Sequence, residues 1–229
     1  MNGLQAAQGF MWWAVGKGIL GTVTRLAVSL KDYGRERVPR EGGVVLAVNH
    51  LAWIDVPVVG LLCPRRVVFL AKSEAHDVPG FGQLMRSMGT LSVRRGESDR
   101  EALRLARRAV RANQLLGVFV EGTRQLSGRP GEAKAGAAMI AMQEGVPVLP
   151  AAVYGSYEWS PRNRGPVSVA WGEPMRFEHL PRSSKGYKQA TTDIQAEILR
   201  LWSFLVDMHR LGRPDGTPPR RAELPSRAG

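Results

Sequence analysis

The chain has little of several residues and patterns that commonly define a protein class. It has one cysteine in 229 residues, Cys63, so an intramolecular disulfide is excluded and a reducing compartment fits. Its four histidines lack partners at metal-ligand spacing, and neither CxxC nor HExxH occurs, so we predict no metal and no cofactor. No GxSxG pattern is present, and Cys63 lies in the apolar run "VVGLLCP", so the chain offers no evident nucleophile.

Acidic residues are scarce relative to basic ones. The chain has 20 Asp and Glu against 32 Lys and Arg, a formal net charge of +12. This charge predicts attraction to something anionic, which could be nucleic acid, an acidic lipid surface or an acidic carrier protein. Arginines concentrate between Arg86 and Arg111, but no aromatic residues interleave with them and no binding motif occurs, so we predict no nucleic-acid partner.

The apolar N-terminal stretch "FMWWAVGKGILGTVTRLAVSL" is interrupted by two basic residues. At helical spacing its aliphatic side chains fall on one side and the basic ones on the other, which is typical of a helix lying in a membrane interface. We therefore predict that residues 1–35 form a membrane-associating helical segment. The residues expected at the bilayer are Trp12, Trp13, Lys17, Ile19 and Arg25. An amphipathic helix packed on the core is the alternative, and a cleaved signal peptide is a weaker one.

From Gly43 onward, short apolar runs alternate with longer helical patterns. The predicted strands are "GVVLAV", "RVVFLA", "GTLSVR", "LGVFVEG", "VPVLPAAVYG" and "VSVAWG", and the predicted helices are 57–62, 79–88, 98–113, 132–144 and 188–211. This alternation predicts an α/β fold over residues 36–211, with a single mixed sheet covered by helices. Pro147 and Pro150 indicate an edge or a bulge in their strand. Residues 212–229 are rich in Gly, Pro and Arg without periodicity, which predicts a disordered basic tail.

The stretch "VNHLAWIDVP" places His50 and Asp55 five residues apart, directly after a predicted strand. Strand ends of this kind are where open α/β sheets build their sites, and a histidine oriented by a carboxylate is a general base at neutral pH. In the alternative, Asp55 caps the following helix and His50 is an ordinary loop histidine. Residues five apart on an unbroken helix are about 140° out of phase, so the pair requires the loop to turn.

Two further predicted strands end in arginines. "GTLSVRRGESD" carries Arg94 and Arg95, and "VFVEGTRQLSG" carries Arg124 after a polar turn. Guanidinium groups at these positions could hold a phosphate, with turn amides and the Thr123 hydroxyl as further donors. Taken separately, each of these patterns favours a solvated turn over a phosphate site.

The four strand-end patterns together, in this order, resemble the glycerolipid acyltransferase family, whose bacterial members acylate 1-acylglycerol-3-phosphate to phosphatidic acid. "NHLAWID" is similar to the family's NHxxxxD block, "GTLSVRRG" to its Gly-to-Arg block, "EGTR" to its EGTR block and "VPVLPAAV" to its proline block. The resemblance covers about Val38 to Val169. It implies that His50 is the base and Asp55 its orienter. It also implies substrate contacts from Arg94 or Arg95 and from Glu121, Gly122, Thr123 and Arg124.

The function implied by this resemblance is transfer of an acyl group from a thioester of coenzyme A or acyl carrier protein to a lysophospholipid hydroxyl. The expected partners are the lysolipid, an anionic membrane surface and an acidic acyl carrier protein, and the expected location is peripheral, on the cytoplasmic face of the cell membrane. Another lysolipid acceptor, such as a lyso-ornithine lipid, remains open. So does a non-catalytic basic protein that binds anionic membranes.

Overall fold

The structure is a computed structural model that describes residues 28–72, 91–93 and 99–221. The strands are β1 (Leu30–Tyr33), β2 (Val44–Val48), β3 (Val67–Lys72), β4 (Leu91–Val93), β5 (Leu115–Phe119), β6 (Val148–Tyr154) and β7 (Val167–Trp171). The α-helices are α1 (Asp55–Leu62), α2 (Asp99–Arg111), α3 (Gly136–Glu144) and α4 (Ser184–Arg210), and a short 3-10 helix spans Arg35–Arg37. Strands and helices therefore alternate, as the sequence predicts.

The seven strands form one mixed sheet in the order β1-β7-β6-β2-β5-β3-β4. β2 pairs in parallel with β5 and β6, and β3 pairs in parallel with β5 and β4. β7 is antiparallel to β6 and parallel to β1. The prediction of an α/β fold with a single mixed sheet is confirmed. Because β2, β5 and β6 run in the same direction, the loops that follow them lie at one edge of the sheet; we call this the carboxyl edge.

Helices cover both faces of the sheet, which explains why β2 is apolar along its whole length. Leu46 points into a core shared with α1, whereas its neighbour Val45 points into a core shared with α2, α3 and α4. Both side chains are fully buried, and this alternation is the ordinary geometry of a strand. Because alternate side chains are buried in the two cores, the packing sets the orientation of the residues at the end of each strand.

β6 lies inside the sheet, between β7 and β2, so of the two predicted alternatives, an edge or a bulge, the structure shows the bulge. Ala151 pairs with Trp171 and Val148 pairs with Met175, so three steps along β6 match four steps along the opposite chain. The extra residue stands opposite Pro150, whose carbonyl accepts from Gly172 N at 2.8 Å. Because proline has no N–H, it is accommodated where the ladder is interrupted.

Both predicted ends of the domain differ from the structure. Leu30–Tyr33 belong to the sheet as β1, although the predicted N-terminal helical segment includes them. Residues 212–221, within the predicted disordered tail, lie against the domain: Pro218 is buried and Arg37 donates to its carbonyl. Lys31 forms an ion pair with Asp215 at 2.7 Å. The tail thus lies beside the outermost strand, and residues 222–229 lie outside the described part of the chain.

The observed starts of α3 and α4 can be compared with the predicted ones. α3 begins at Gly136 rather than residue 132, and in the irregular stretch before it Ala133 N donates to Gln195 Oε1 and Lys134 N to Val120 O. α4 begins at Ser184, with Ser183 accepting from Gly186 N as its cap. The predicted helix 79–88 lies outside the described residues. Within the described ranges, no helix is both long and apolar enough to cross a bilayer.

Candidate active site

The side chains of His50 and Asp55 meet in the loop between β2 and α1. His50 Nδ1 lies 2.9 Å from Asp55 Oδ2. The loop turns between them because Asp55 N donates to Ala52 O at 3.1 Å, immediately before α1. The structure therefore brings the two predicted residues together at the carboxyl edge.

The hydrogen bonds of Asp55 set the direction of the His50 bond. Asp55 Oδ2 also accepts from Leu51 N at 2.6 Å and from Ala52 N at 2.8 Å. Main-chain amides can only donate, so Oδ2 is the acceptor throughout and His50 Nδ1 is the donor. In the neutral ring, His50 Nε2 is then the nitrogen that carries the lone pair. Both amides precede α1, and no side chain caps that helix, so Asp55 orients the histidine loop rather than capping α1.

The main chain of His50 is held from two sides. Glu121 Oε2 accepts from His50 N at 3.1 Å, and Gln125 N donates to His50 O at 2.8 Å. The preceding residue, Asn49, is fully buried and exchanges two bonds with Val153, accepting from its N at 2.8 Å and donating to its carbonyl at 3.1 Å. The Asn49 side-chain amide thus continues the hydrogen bonding between β2 and β6 by one residue beyond the end of β2. The histidine loop is fastened to both neighbouring strands.

Glu121 lies beneath this loop rather than at its surface. Its side chain is buried, with Oε1 3.4 Å from Gly131 N and Oε2 accepting from His50 N. Burial raises the pKa of Glu121 to about 7, although the amides that donate to it oppose the shift. The predicted role of Glu121 is substrate binding. Its contacts with main-chain amides favour a positioning role, in which it ties His50 to the loop after β5.

The imidazole ring of His50 rests on an aromatic stack. Its centroid lies 3.9 Å from that of Phe119, and the two planes are inclined by 20°. Phe119 in turn stacks on Phe69 at 5.3 Å and 11°. Gly117 makes this possible, since a β-carbon there would lie 2.3 Å from the Phe69 ring. The stack supports the plane of the ring while Asp55 fixes its rotation.

The turn after β5 carries the predicted Gly122, Thr123 and Arg124. Gly122 has a φ of 72°, a left-handed conformation that favours glycine, and its N donates to Phe119 O at 3.0 Å. Thr123 and Arg124 are exposed. A β-carbon at Gly122 would lie 3.2 Å from Lys134 Nζ, so this ammonium group lies over the turn. Two cationic residues therefore occupy the turn next to the His50 loop.

Several predicted residues fall outside the described part of the chain. Arg94 and Arg95 follow β4, which is parallel to its neighbour β3, and both lie outside the described ranges. The predicted membrane contacts also lie outside them, namely Trp12, Trp13, Lys17, Ile19 and Arg25. Among the residues that the structure describes, no three His, Cys, Asp or Glu side chains form a group that could hold a metal ion.

Phe119 and Lys134 are missing from the sequence prediction of the site, and Asn49 enters it only as the first residue of "NHLAWID". Asn49 had a signal, because a polar residue at the end of an apolar strand must find partners when it is buried. Phe119 had a weaker one, as the only aromatic residue in its strand. Lys134 had none, since its approach to the Gly122 turn depends on the path of residues 125–133 and on no local pattern.

Comparisons with known proteins agree with this geometry. The sequence profile of the acyltransferase family matches residues 29–154. The chain is 26% identical over 171 residues to the 1-acyl-sn-glycerol-3-phosphate acyltransferase of Bacillus subtilis, across 72% of this chain and 85% of that protein. It is 34% identical over 189 residues to the lyso-ornithine lipid O-acyltransferase of Pseudomonas aeruginosa, across 76% of this chain and 70% of that protein.

A solved structure has the same fold. The crystal structure of the 1-acyl-sn-glycerophosphate acyltransferase PlsC from Thermotoga maritima aligns with a TM-score of 0.72 at 21% identity, covering 95% of this chain and 86% of that one. The family profile spans more than half of the chain and includes His50, Asp55 and the turn at Gly122. The chain therefore belongs to the acyltransferase family and is an O-acyltransferase.

Proposed function

We propose that this protein transfers a fatty acyl group from an acyl thioester, carried by coenzyme A or acyl carrier protein, to the free hydroxyl of 1-acylglycerol-3-phosphate, giving phosphatidic acid. The observation that carries the proposal is the bond of 2.9 Å between His50 Nδ1 and Asp55 Oδ2, which leaves Nε2 available at the edge where two cationic side chains also lie. The names of the relatives support a lysolipid acceptor.

The proposed reaction is a direct attack. The acceptor hydroxyl gives its proton to His50 Nε2 as its oxygen bonds to the thioester carbonyl carbon. The tetrahedral intermediate then collapses, the carbon–sulfur bond breaks, and the departing thiolate takes the proton back from the imidazolium. Asp55 stabilises the positive ring between these steps. The side-chain contacts described for the His50 ring are with Asp55 and Phe119, and Cys63 is fully buried, so the acceptor hydroxyl is the nucleophile.

The acceptor phosphate is assigned to the turn after β5. Arg124 is exposed there, and the Lys134 ammonium lies over Gly122. A guanidinium binds a phosphate through paired, charge-assisted hydrogen bonds, and an ammonium adds a point charge. Arg95, with Arg94 as the alternative, is proposed as a further phosphate ligand from the end of β4.

A second acceptor remains a candidate because of one observation. The lyso-ornithine lipid O-acyltransferase of Pseudomonas aeruginosa is 34% identical to this chain, against 26% for the 1-acylglycerol-3-phosphate enzyme of Bacillus subtilis. A lyso-ornithine lipid carries a carboxylate and an amine in place of a phosphate. A carboxylate could also bind Arg124, but with one negative charge and two oxygens it would use fewer of the Arg124 and Lys134 donors than a phosphate does.

The location and the donor belong to the same proposal. The acceptor and the product are lipids, so we place the enzyme peripherally on the cytoplasmic face of the cell membrane, with residues 1–35 as its predicted membrane segment. The net charge of +12 suits an anionic bilayer and an acidic acyl carrier protein equally.

The test is an acceptor panel. Purified full-length protein is incubated with acyl-coenzyme A or acyl carrier protein thioester and with 1-acylglycerol-3-phosphate, lyso-ornithine lipid or lysophosphatidylcholine, and products are identified by mass spectrometry. We expect phosphatidic acid as the main product. If the ornithine lipid forms instead, the acceptor assignment is wrong while the acyl transfer stands. If thioester is consumed equally with and without every lysolipid, acyl transfer to a lipid is refuted.

A further inference from the structure

Large hydrophobic side chains are exposed around the candidate active site. Five are exposed among the described residues, and three of these are Trp53 at 48%, Leu126 at 79% and Tyr157 at 48%. They follow β2, β5 and β6 respectively, so all three lie on loops at the carboxyl edge. A single exposed apolar residue is ordinary, whereas a group of them around one site indicates an interaction surface.

These loops contact one another. The Trp53 ring meets the Trp159 ring edge to face, with centroids 5.7 Å apart. The Tyr157 ring lies close to Gly128, since a β-carbon there would lie 2.9 Å from Tyr157 Cδ1. The loop that carries Leu126 is bonded to His50 through Gln125. We call Trp53, Leu126, Tyr157 and Trp159 the apolar rim, and it belongs to the loops that hold the reacting histidine.

Positive charge accompanies the apolar rim. Five exposed cationic residues lie on the loops after β5 and β6, against two exposed carboxylates, Glu132 and Glu158. The cationic residues are Arg124, Arg129, Lys134, Arg162 and Arg164. Exposed tryptophan and tyrosine flanked by arginine and lysine are typical of surfaces that enter the head-group region of an anionic bilayer.

We propose that the apolar rim and its flanking cationic residues dock on an anionic bilayer surface, so that the loops around His50 enter the head-group region. This proposal rests on the proposed function, because a lipid acceptor must reach His50 from the membrane. It adds a second membrane contact to the predicted N-terminal helix. A protein partner would also find positive charge here, but exposed aromatic and leucine side chains on three different loops suit shallow insertion between lipids better than a flat protein interface.

A fluorescent label at Leu126 tests the insertion directly. Cys63 is the only cysteine of the chain and is fully buried, so Leu126→Cys introduces a single accessible thiol for an environment-sensitive dye. The matched control is Leu199→Cys, because Leu199 is exposed in the middle of α4 and far along the chain from the rim loops. Vesicles of equimolar phosphatidylcholine and phosphatidylglycerol, with and without nitroxide-labelled lipid, are added to each labelled full-length protein.

We expect the label at residue 126 to shift to the blue and to be quenched by the nitroxide lipid, and the label at residue 199 to do neither. Equal responses at the two positions would overturn the proposal. A response at residue 126 to added acyl carrier protein but not to vesicles would also overturn it, in favour of a protein contact.

An activity measurement separates this proposal from the proposed function. The double variant Leu126→Ser/Tyr157→Ser should transfer acyl groups about tenfold more slowly to long-chain lysolipid in vesicles, because apolar area is lost from the contact. It should match the wild type on a short-chain lysolipid dissolved as monomers, and Leu199→Ser should match on both. A loss on both acceptors would place the rim in the reaction itself and refute docking. If the wild type acylates no lysolipid while the label still inserts, the proposed function fails and the rim proposal stands.

Discussion

Two histidines lie at the same edge of the sheet in different surroundings. His50 follows β2 and bonds through Nδ1 to Asp55 at 2.9 Å. His209, in the last turn of α4, lies 2.9 Å through Nε2 from the hydroxyl of Ser168 in β7. Each ring also contacts an aromatic residue, Phe119 for His50 and Tyr154 for His209. By distance alone, both could be taken for catalytic pairs.

The difference lies in the groups that hold each pair. Asp55 Oδ2 accepts from two main-chain amides as well as from His50 Nδ1, and no described residue forms a hydrogen bond with His50 Nε2. Ser168 is fully buried in the sheet, and burial, with help from Arg213, lowers the pKa of His209 to about 4. A neutral, half-buried histidine next to a buried hydroxyl serves packing. A histidine hydrogen bond therefore indicates a site more strongly when the acceptor is a carboxylate held by main-chain amides than when it is a hydroxyl buried in the sheet.

The largest expected effect comes from removing each histidine in turn. His50→Ala should lower kcat by about 10²–10⁴-fold because it removes the base. Asp55→Asn should be less severe, since it only misorients the ring. His209→Ala should leave kcat nearly unchanged and lower the stability by about 1–3 kcal/mol, because it leaves the Ser168 hydroxyl buried and unpaired. Steady-state kinetics and thermal unfolding check all three, and near-normal turnover of folded His50→Ala would refute its role as the base.

The next effect compares one exposed arginine from each of the two regions, Arg124 and Arg210. Arg124→Ala should raise KM for 1-acylglycerol-3-phosphate by about tenfold or more, and Arg124→Lys should recover only part, because lysine keeps the charge and loses the forked geometry. Arg210 is exposed beside His209, so Arg210→Ala should leave KM unchanged. Slow hydrolysis of the thioester by water needs His50 but no phosphate ligand, and it should persist in every arginine variant.

The arginines after β4 sharpen the same comparison. Alternation along "LSVRR" sends neighbouring side chains to opposite faces, so Arg95→Ala should raise the acceptor KM more than Arg94→Ala. If Arg94→Ala has the larger effect, the match of "GTLSVRRG" to the family's Gly-to-Arg block is wrong by one residue. If Arg94, Arg95, Arg124 and Lys134 can all be replaced by alanine without a change in KM, the acceptor is not a phosphate monoester, and the lyso-ornithine lipid takes its place.

A smaller effect is expected from the aromatic ring that contacts each histidine, which is stacked on His50 and edge to face with His209. Phe119→Leu should lower kcat by about tenfold with little change in KM, because leucine fills the space but neither aligns the ring nor offers a π face to the imidazolium. Tyr154→Leu should leave kcat unchanged. Equal losses in the two variants would show that packing of the sheet, and not support of the His50 ring, is responsible.

The sequence predicts the sheet well because each of its inner strands is a short apolar run. It misses β1, since "LKDY" has no such run and pairs at the edge only because β7 offers a partner. It also misses the packing of the tail, which depends on distant contacts such as Arg37 with Pro218. Local patterns cannot encode contacts between residues so far apart in the chain.

The residues of the site also fall into two groups, those that local sequence predicts and those that depend on distant contacts. The His50–Asp55 pair and the Gly122 turn are predictable because each lies within a few residues of a strand end. The burial of Glu121 and the approach of Lys134 are not, because both depend on how the loop of residues 125–133 folds back over the turn. Sequence spacing thus identifies the residues of this site more readily than it identifies which of them contact substrate.

The smallest expected effect compares a buried and a half-buried titratable group, Glu121 and His209, with opposite pH dependence. Burial raises the pKa of Glu121 from 4.5 to about 7, so between these values the folded state binds more protons than the unfolded state, and stability falls as pH rises. The pKa of His209 is lowered from 6.5 to about 4, so the folded state binds fewer protons in that window, and stability falls as pH drops. In the wild type the two dependences partly cancel.

Single substitutions should therefore expose each dependence. The Tm of Glu121→Gln relative to the wild type should increase as pH rises from about 4.5 to about 7, and that of His209→Gln should increase as pH falls from about 6.5 to about 4. A change of 1 kcal/mol corresponds to about 2–4 °C in a chain of this size. The His209 effect should be the smaller, because water screens a half-buried ring. The lost hydrogen bonds cost the same stability at every pH, so they shift the curve of Tm against pH without changing its slope. Curves that stay parallel to the wild type across pH 4–8 would refute the pKa assignments of both Glu121 and His209.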